Sequence, residues 1–473
     1  MNKLKLFIEN FLVYGLGGII SKIIPLIMVP IVTRLMPSTD YFGLSDLSNI
    51  VVSLASAFAV MGMYDAMYRM FFEKEDDEYK KNICSTAFTF TLFTSVVVFL
   101  LLIVFKKQIA QYFFSDTKYE YIVYLSAIAT LVGATNSIIS APTRMQNKRK
   151  VFLVTNTVSP ILSYAISIPM LLAGYFTIAL PLAAVVSGAT MEFAFWIMNK
   201  EWFSLRRFDK TLLKPLLVIA IPLLPNFLVY WIFNSCDKVM ITNMLGIGAA
   251  GIYSVGSKLG HASQLIYTAF AGGWQYFAFS TMKEDNQVKS NSMIFEYLGI
   301  ISFAATAFIC ALAYPLFKIL FTEQYLSGYI VAPYLFLAPL LQMLFQVACN
   351  QFIVVKKTWP NMFILSMGAL ANIAINYFLI PVLGIEGASL ATLMGYAISD
   401  LICVIVLCKM KLMVLENKFT FATLGIVVFF VLWRLLIPSN TFLGLGLALV
   451  FCFYLLFLYR ADVNRLVKMI RKK

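Results

Sequence analysis

Fourteen long apolar stretches follow one another along this chain, with short polar connections between them. A membrane-spanning helix needs about 20 mostly apolar residues. The pattern predicts spans at 9–33, 41–66, 83–105, 120–142, 151–175, 178–199, 215–237, 247–272, 292–317, 328–355, 360–382, 386–408, 421–437 and 441–459. The expected fold class is an all-α integral membrane protein of about 14 transmembrane helices. Composition agrees: 61% of residues are hydrophobic, 13% are charged and mean hydropathy is +0.84, which no ordinary soluble domain reaches. Little sequence is left outside the bilayer for anything but moving a molecule across it.

Charge orients the spans. With the N-terminus inside, 28 of the 37 Lys and Arg residues lie on inner connections. Seven lie on the outer side or at outer helix ends: Arg34, Lys106, Lys107, Lys118, Lys238, Lys318 and Arg434. Lys22 and Lys258 lie within helices. An inner excess of this size is the positive-inside rule and predicts that both termini are cytoplasmic. The net charge of +14 is then a matter of anionic headgroups, and no nucleic-acid partner is expected. The tail Arg460–Lys473 mixes basic and apolar residues, as a helix lying on the membrane surface does. The first stretch is full length, holds Lys22 near its middle and lacks a small-residue cleavage site, so it reads as a span and not as a signal peptide. The seven cysteines form no CxxC pair and His261 is the only histidine; neither a metal site nor a cofactor is expected. The acid-rich run Glu73–Glu78 reads as a solvated turn.

The polar connection Asn199–Lys214 divides six spans from eight, and the second set begins as the first does. The first span carries Pro25 and Pro30; the seventh carries Pro222 and Pro225. Prolines bend membrane helices where neighbours satisfy the freed carbonyls, so these four are the candidate hinges. An offset of 209 residues brings Thr33, Ser45 and Ser48 onto Thr242, Ser254 and Ser257. Gly174 and Gly384 fall together at an offset of about 210, before spans six and twelve. Six helices repeated in one orientation form a parallel repeat, and transporters of that design bind at the interface of their halves. The organisation expected is an N-lobe at 1–205, a C-lobe at 206–412, two added spans within 413–460 and a basic tail at 461–473.

Two stretches resemble a known superfamily. In the first, Gly17-Gly18, Ser21, Pro25 and Pro30 lead to Arg34-Leu35-x-Pro37 and Tyr41-Phe42-Gly43. In the second, Asn372, Asn376 and Pro381 precede Gly384-Ile385-Glu386-Gly387-Ala388. Both resemble the multidrug/oligosaccharidyl-lipid/polysaccharide exporter superfamily, in its polysaccharide flippase branch. The resemblance implies two six-helix lobes around a central cavity in a bacterial inner membrane. The cargo it implies is an undecaprenyl-diphosphate oligosaccharide, carried from the cytoplasmic to the outer leaflet. Polysaccharide polymerase and glycosyltransferases of the same route are the implied partners, beside the membrane lipids. In the related peptidoglycan-precursor flippases, basic residues on helices one, two and eight face the cavity. Lys22 and Lys258 match the first and the last; Asn49 stands uncharged where the helix-two cation would be.

The two lysines also stand out on physical grounds. Each lies roughly 16 Å below the outer face at 1.5 Å per residue. A charge at that depth costs on the order of 3 kcal/mol or more in lipid, so it normally faces protein or a hydrated path. A crossing diphosphate needs such ammonium groups to offset its desolvation. The alternative is pairing with an internal acid such as Asp46 or Asp237. For coupling to a gradient of H+ or Na+, the candidates are Glu192, His261, Asp46 and Asp237. A multidrug or cation antiporter of the same superfamily, and a membrane glycosyltransferase or polymerase, remain as alternatives. Against the enzyme, the longest outer segment, Lys106–Tyr119, is short and no loop holds an evident catalytic set.

Overall fold

A computed structural model describes residues 21–268, 270, 274, 278, 286–357, 359–436 and 440–464, and its regular secondary structure is helical throughout. Twelve of its helices are long and apolar enough to cross a membrane. They match every predicted span except 9–33 and 247–272, both of which run partly outside the described residues; the described parts, 21–33, 247–268 and 270, are helical. The protein is thus a multi-pass membrane protein. The tail beyond residue 464 also lies outside the described residues.

Three connections differ from the pattern reading. The second span stops at Val60, because Met61 (φ 49°) and Gly62 (φ 75°) both adopt left-handed backbone before the chain resumes as Met63–Phe71. A Cβ at Gly62 would also lie 2.6 Å from the Ala220 carbonyl, so both conformation and space demand glycine. The segment Lys106–Tyr119, expected to be an outer connection, is a helix over Lys106–Phe114 closed by a 3₁₀ turn at Thr117–Tyr119. The seventh span does not end at 237. It runs on to Leu245, changing its winding on the way: α over Lys210–Ala220, 3₁₀ over Ile221–Leu223, α over Leu224–Trp231, π over Ile232–Cys236 and α over Asp237–Leu245. Pro222, which has no N–H to give the helix, lies in the 3₁₀ segment. Asp209 caps the start of this span through the Thr211 N–H at 2.7 Å, and its bonds with Thr211 hold the carboxyl below the usual range. The acid run is exposed, and Asp76 within it caps the helix Asp77–Val104.

The chain divides into two compact units, Met1–Ser254 and Val255–Lys473. In the first, Glu120–Met145 packs against Thr39–Val60, Asp77–Val104 and Ala179–Asn199. Close approach replaces bulk where Thr39–Val60 meets the start of Ile247–Gly260: a Cβ on Gly251 would lie 2.1 Å from the Thr39 carbonyl. The repeat-related Thr33 and Thr242 are both buried and both donate four residues back, to Val29 and Lys238.

The second unit centres on Val331–Val354, of whose 24 residues 20 are buried. A helix apolar all round belongs in such a place. Trp359–Leu383 and Ile385–Lys409 pair closely about the turn at Gly384, whose φ of 62° and ψ of −137° no side chain tolerates well. This explains the Gly-Ile-Glu-Gly-Ala sequence physically. The last two spans are tied down by polar contacts. Arg434 Nε lies 2.6 Å from Glu386 Oε1, which also accepts from Tyr334. Lys418 Nζ lies 2.6 Å from Asp462 Oδ2, and Glu296 accepts from Tyr459.

A polar cavity inside the first unit

A cavity of about 750 Å³ opens among the helices of the first unit, where Ser, Thr and Asn side chains line it together with Phe152, Pro160, Met191 and Phe195. It is built by stripes of polar residues at helical spacing. Glu120–Met145 contributes Asn136, Ser140, Thr143 and Arg144; Arg149–Leu172 contributes Thr155, Ser159 and Ser163. Residues three and four apart share one helix face, so each stripe turns one face of its helix to the cavity. Four of the lining hydroxyls donate to backbone: Ser137 to Ala134 at 2.7 Å, Ser140 to Ser137 at 3.3 Å, Thr155 to Val151 at 2.9 Å and Ser187 to Ser159 at 2.9 Å. What they offer the cavity is lone pairs. Asn136 Oδ1 is buried and has no hydrogen-bond partner among the described residues.

Among the described residues, Arg144 is the single formally charged one in this wall. The Tyr64 hydroxyl lies 3.1 Å from its Nη1, and its guanidinium carbon lies 5.4 Å from the centre of the Phe152 ring. The left-handed pair Met61-Gly62 matters here, because it redirects the chain so that Tyr64 reaches Arg144. A second cavity of about 550 Å³ shares Tyr64 and Ser137 with the first and is closed by Tyr230, Trp231 and Asn234 of the seventh span. Asn234 and Ser235 sit in the π-wound segment, which widens the helix just where it lines this space.

The residues singled out from sequence fall in three places. Lys22, Asn49 and Lys258 are exposed side chains; the larger cavity is lined by Ser21 but not by its neighbour Lys22. Asp46 and Asp237 belong to a buried ionic cluster of the first unit. Lys238 Nζ lies 2.6 Å from Asp46 Oδ2, Ser254 donates to the same oxygen at 2.7 Å, and Tyr253 donates to Asp237. Lys238, counted above as an outer helix end, is therefore a buried partner, because the seventh span continues past it. Glu192 is half-buried, with the Thr135 hydroxyl 2.5 Å from its Oε1, beside the cavity residues Met191 and Asn136. His261 is half-buried at the start of a 3₁₀ turn. Of the four prolines, Pro222 lies at a change of winding, Pro225 is the second residue of the next α segment, and Pro25 and Pro30 lie within continuous helix.

The cavity itself escaped the sequence reading, although the signal was present. Asn136, Ser140 and Arg144 follow one another at four-residue intervals, as do Thr155, Ser159 and Ser163.

A family model described as "Polysaccharide biosynthesis protein" matches residues 31–329. Among solved structures, the lipid II flippase MurJ in an inward closed conformation is similar, with a TM-score of 0.70 over 96% of this chain and 100% of that one, at 15% identity. An inward-facing multidrug resistance MATE family transporter of the MOP superfamily reaches 0.60 over 83% and 98%, at 13% identity. A MOP superfamily transporter from Pyrococcus furiosus, described by the reverse polarity of its binding pocket, reaches 0.61 over 86% and 95%, also at 13% identity. At such identities the likeness is one of fold. No curated protein matches the sequence significantly.

Proposed function

Because the chain belongs to the polysaccharide biosynthesis protein family, we propose that it is a flippase that carries a diphosphate-linked oligosaccharide on a polyprenyl lipid across the bacterial inner membrane. The observation that carries this reading is the cavity: about 750 Å³ of hydroxyl- and amide-lined space inside a unit otherwise made of apolar membrane helices. A glycan is a dense array of hydroxyl donors and acceptors, and its free-energy cost in hydrocarbon is the barrier to be lowered. The lipid tail needs no such shelter and stays in the bilayer. No bond is made or broken; the task is to exchange water for protein partners and back again.

Alternating access then asks some helix to change shape. We assign the hinges to Pro25, Pro30, Pro222 and Pro225; the changes of winding in the seventh span support this for the last two. The repeat of six spans, with lobes at 1–205 and 206–412, supplies the two moving bodies. Lys22 and Lys258, with Asn49 as the uncharged third position, are the anion contacts for the diphosphate along the path. Glu192, His261, Asp46 and Asp237 are the sites through which H+ or Na+ couples. Both termini are cytoplasmic on this reading.

The MATE-like fold supports a second reading, export of cationic drugs. The chemistry of the larger cavity counts against it: the one charge among the described residues of its wall is cationic.

Two measurements check these assignments. A cysteine placed at position 148 in a cysteine-free variant should resist an impermeant maleimide added outside intact cells, while one at position 118 should react; outside labelling at 148 would overturn the orientation. In cells, Lys22→Gln or Lys258→Gln should leave the protein in the membrane at normal abundance, yet cut surface polysaccharide at least tenfold and pile up its lipid-linked precursor inside. Lys→Arg should keep part of the activity, since charge persists while geometry changes. Normal output from both glutamine variants would remove the two lysines from the anion path.

A further inference from the structure

Taking the flippase reading as given, we infer that the cavity of the first unit is the seat of the sugar next to the lipid, with Arg144 at its edge holding the diphosphate that joins the two. Four of the cavity's hydroxyls, on Ser137, Ser140, Thr155 and Ser187, donate to backbone carbonyls, so what these four offer a ligand is lone pairs. A ligand that satisfies them must bring several hydroxyl or amide hydrogens, as a pyranose does. The orphaned Asn136 Oδ1 asks for one such hydrogen. A volume of about 750 Å³ lies within the range of small-molecule sites, roughly 300–1,000 Å³.

Arg144 supplies the opposite character. Its guanidinium has five N–H donors in a planar fork suited to phosphate oxygens. Tyr64 and Phe152 hold it, one by hydrogen bond and one by its ring face, so little side-chain freedom is left to lose on binding. Position matters as much as chemistry. Arg144 closes the stripe that begins at Asn136, eight residues or roughly 12 Å along the same helix, so an anion at Arg144 directs an attached sugar toward Asn136. Asp65, near enough to act electrostatically on Arg144, lines the neighbouring cavity with Tyr64. An arriving diphosphate must out-compete it, which makes the site a reversible one, as a transporter requires.

Two water-soluble probes separate the parts: a short-chain prenyl diphosphate, and the same compound carrying one N-acetylhexosamine. Binding to the purified, detergent-solubilised protein is measured by calorimetry. The wild type should bind the sugar-bearing probe more tightly than the bare one. Arg144→Gln should weaken both probes by roughly tenfold or more, while Arg144→Lys should lose less. Asn136→Leu should weaken the sugar-bearing probe alone and bring the two probes level. Unchanged thermal unfolding of the three variants shows that the fold is intact. If Arg144→Gln and Asn136→Leu bind both probes as the wild type does, the cavity assignment is wrong while the flippase reading stands. If the wild type binds neither probe, the flippase reading falls and this inference with it.

Discussion

Lys238→Met should be among the most damaging single changes in the chain, with a loss of about 3–5 kcal/mol of stability. The ammonium group lies 2.6 Å from Asp46 Oδ2 inside the first unit, and both side chains are almost wholly buried. Removing the cation takes a counter-charge at 2.6 Å away from the Asp46 carboxylate in a low-dielectric interior. The pair itself is worth much less than that figure, because both ions gave up water to form it. The double variant Lys238→Met with Asp46→Leu should therefore recover most of the loss. Thermal unfolding of detergent-purified protein distinguishes the cases. A single variant as stable as the double would show that the ion pair does not hold the second and seventh spans together.

Gly251→Ala should cost about 1–3 kcal/mol, as overpacking does. The added methyl would lie 2.1 Å from the Thr39 carbonyl oxygen, a backbone atom that cannot swing aside. Two helices would have to separate, and the Tyr253 and Ser254 contacts to the ionic cluster would shift with them. Gly446→Ala is the control. Nothing lies within 4 Å of a Cβ there, so the substitution should be neutral or slightly stabilising. Equal unfolding temperatures for both variants would mean that the close approach at Gly251 carries no energetic weight.

The membrane-crossing architecture was legible because a run of some 20 apolar residues has few other uses, and the family resemblance read from Gly15–Leu44 and Asn372–Ala388 is borne out by the family match. Boundaries were less legible where the backbone does something that hydropathy does not record. Met61 and Gly62 break a run that reads as continuous. The seventh span carries Asp237 and Lys238 inside itself because each finds a partner from distant sequence, and hydropathy sees only their charge. Charge also governed which site residues were noticed. A lysine in an apolar helix is conspicuous, so Lys22 and Lys258 stood out. The serine, threonine and asparagine stripes are inconspicuous because an isolated hydroxyl can satisfy itself on the preceding turn of its own helix. Only their convergence from neighbouring helices makes a cavity, and convergence is not written in either helix alone.

Reconstitution tests transport of a lipid-linked glycan most directly. The purified protein is placed in liposomes carrying a polyprenyl-diphosphate oligosaccharide, and an impermeant glycosidase outside reports how much of the glycan has reached the outer leaflet. Protein-dependent exposure of glycan from the inner leaflet is expected in the presence of an imposed H+ or Na+ gradient. Exposure that stays at the level of protein-free liposomes under both gradients, while the same preparation moves a cationic dye, would contradict it and select the multidrug reading instead.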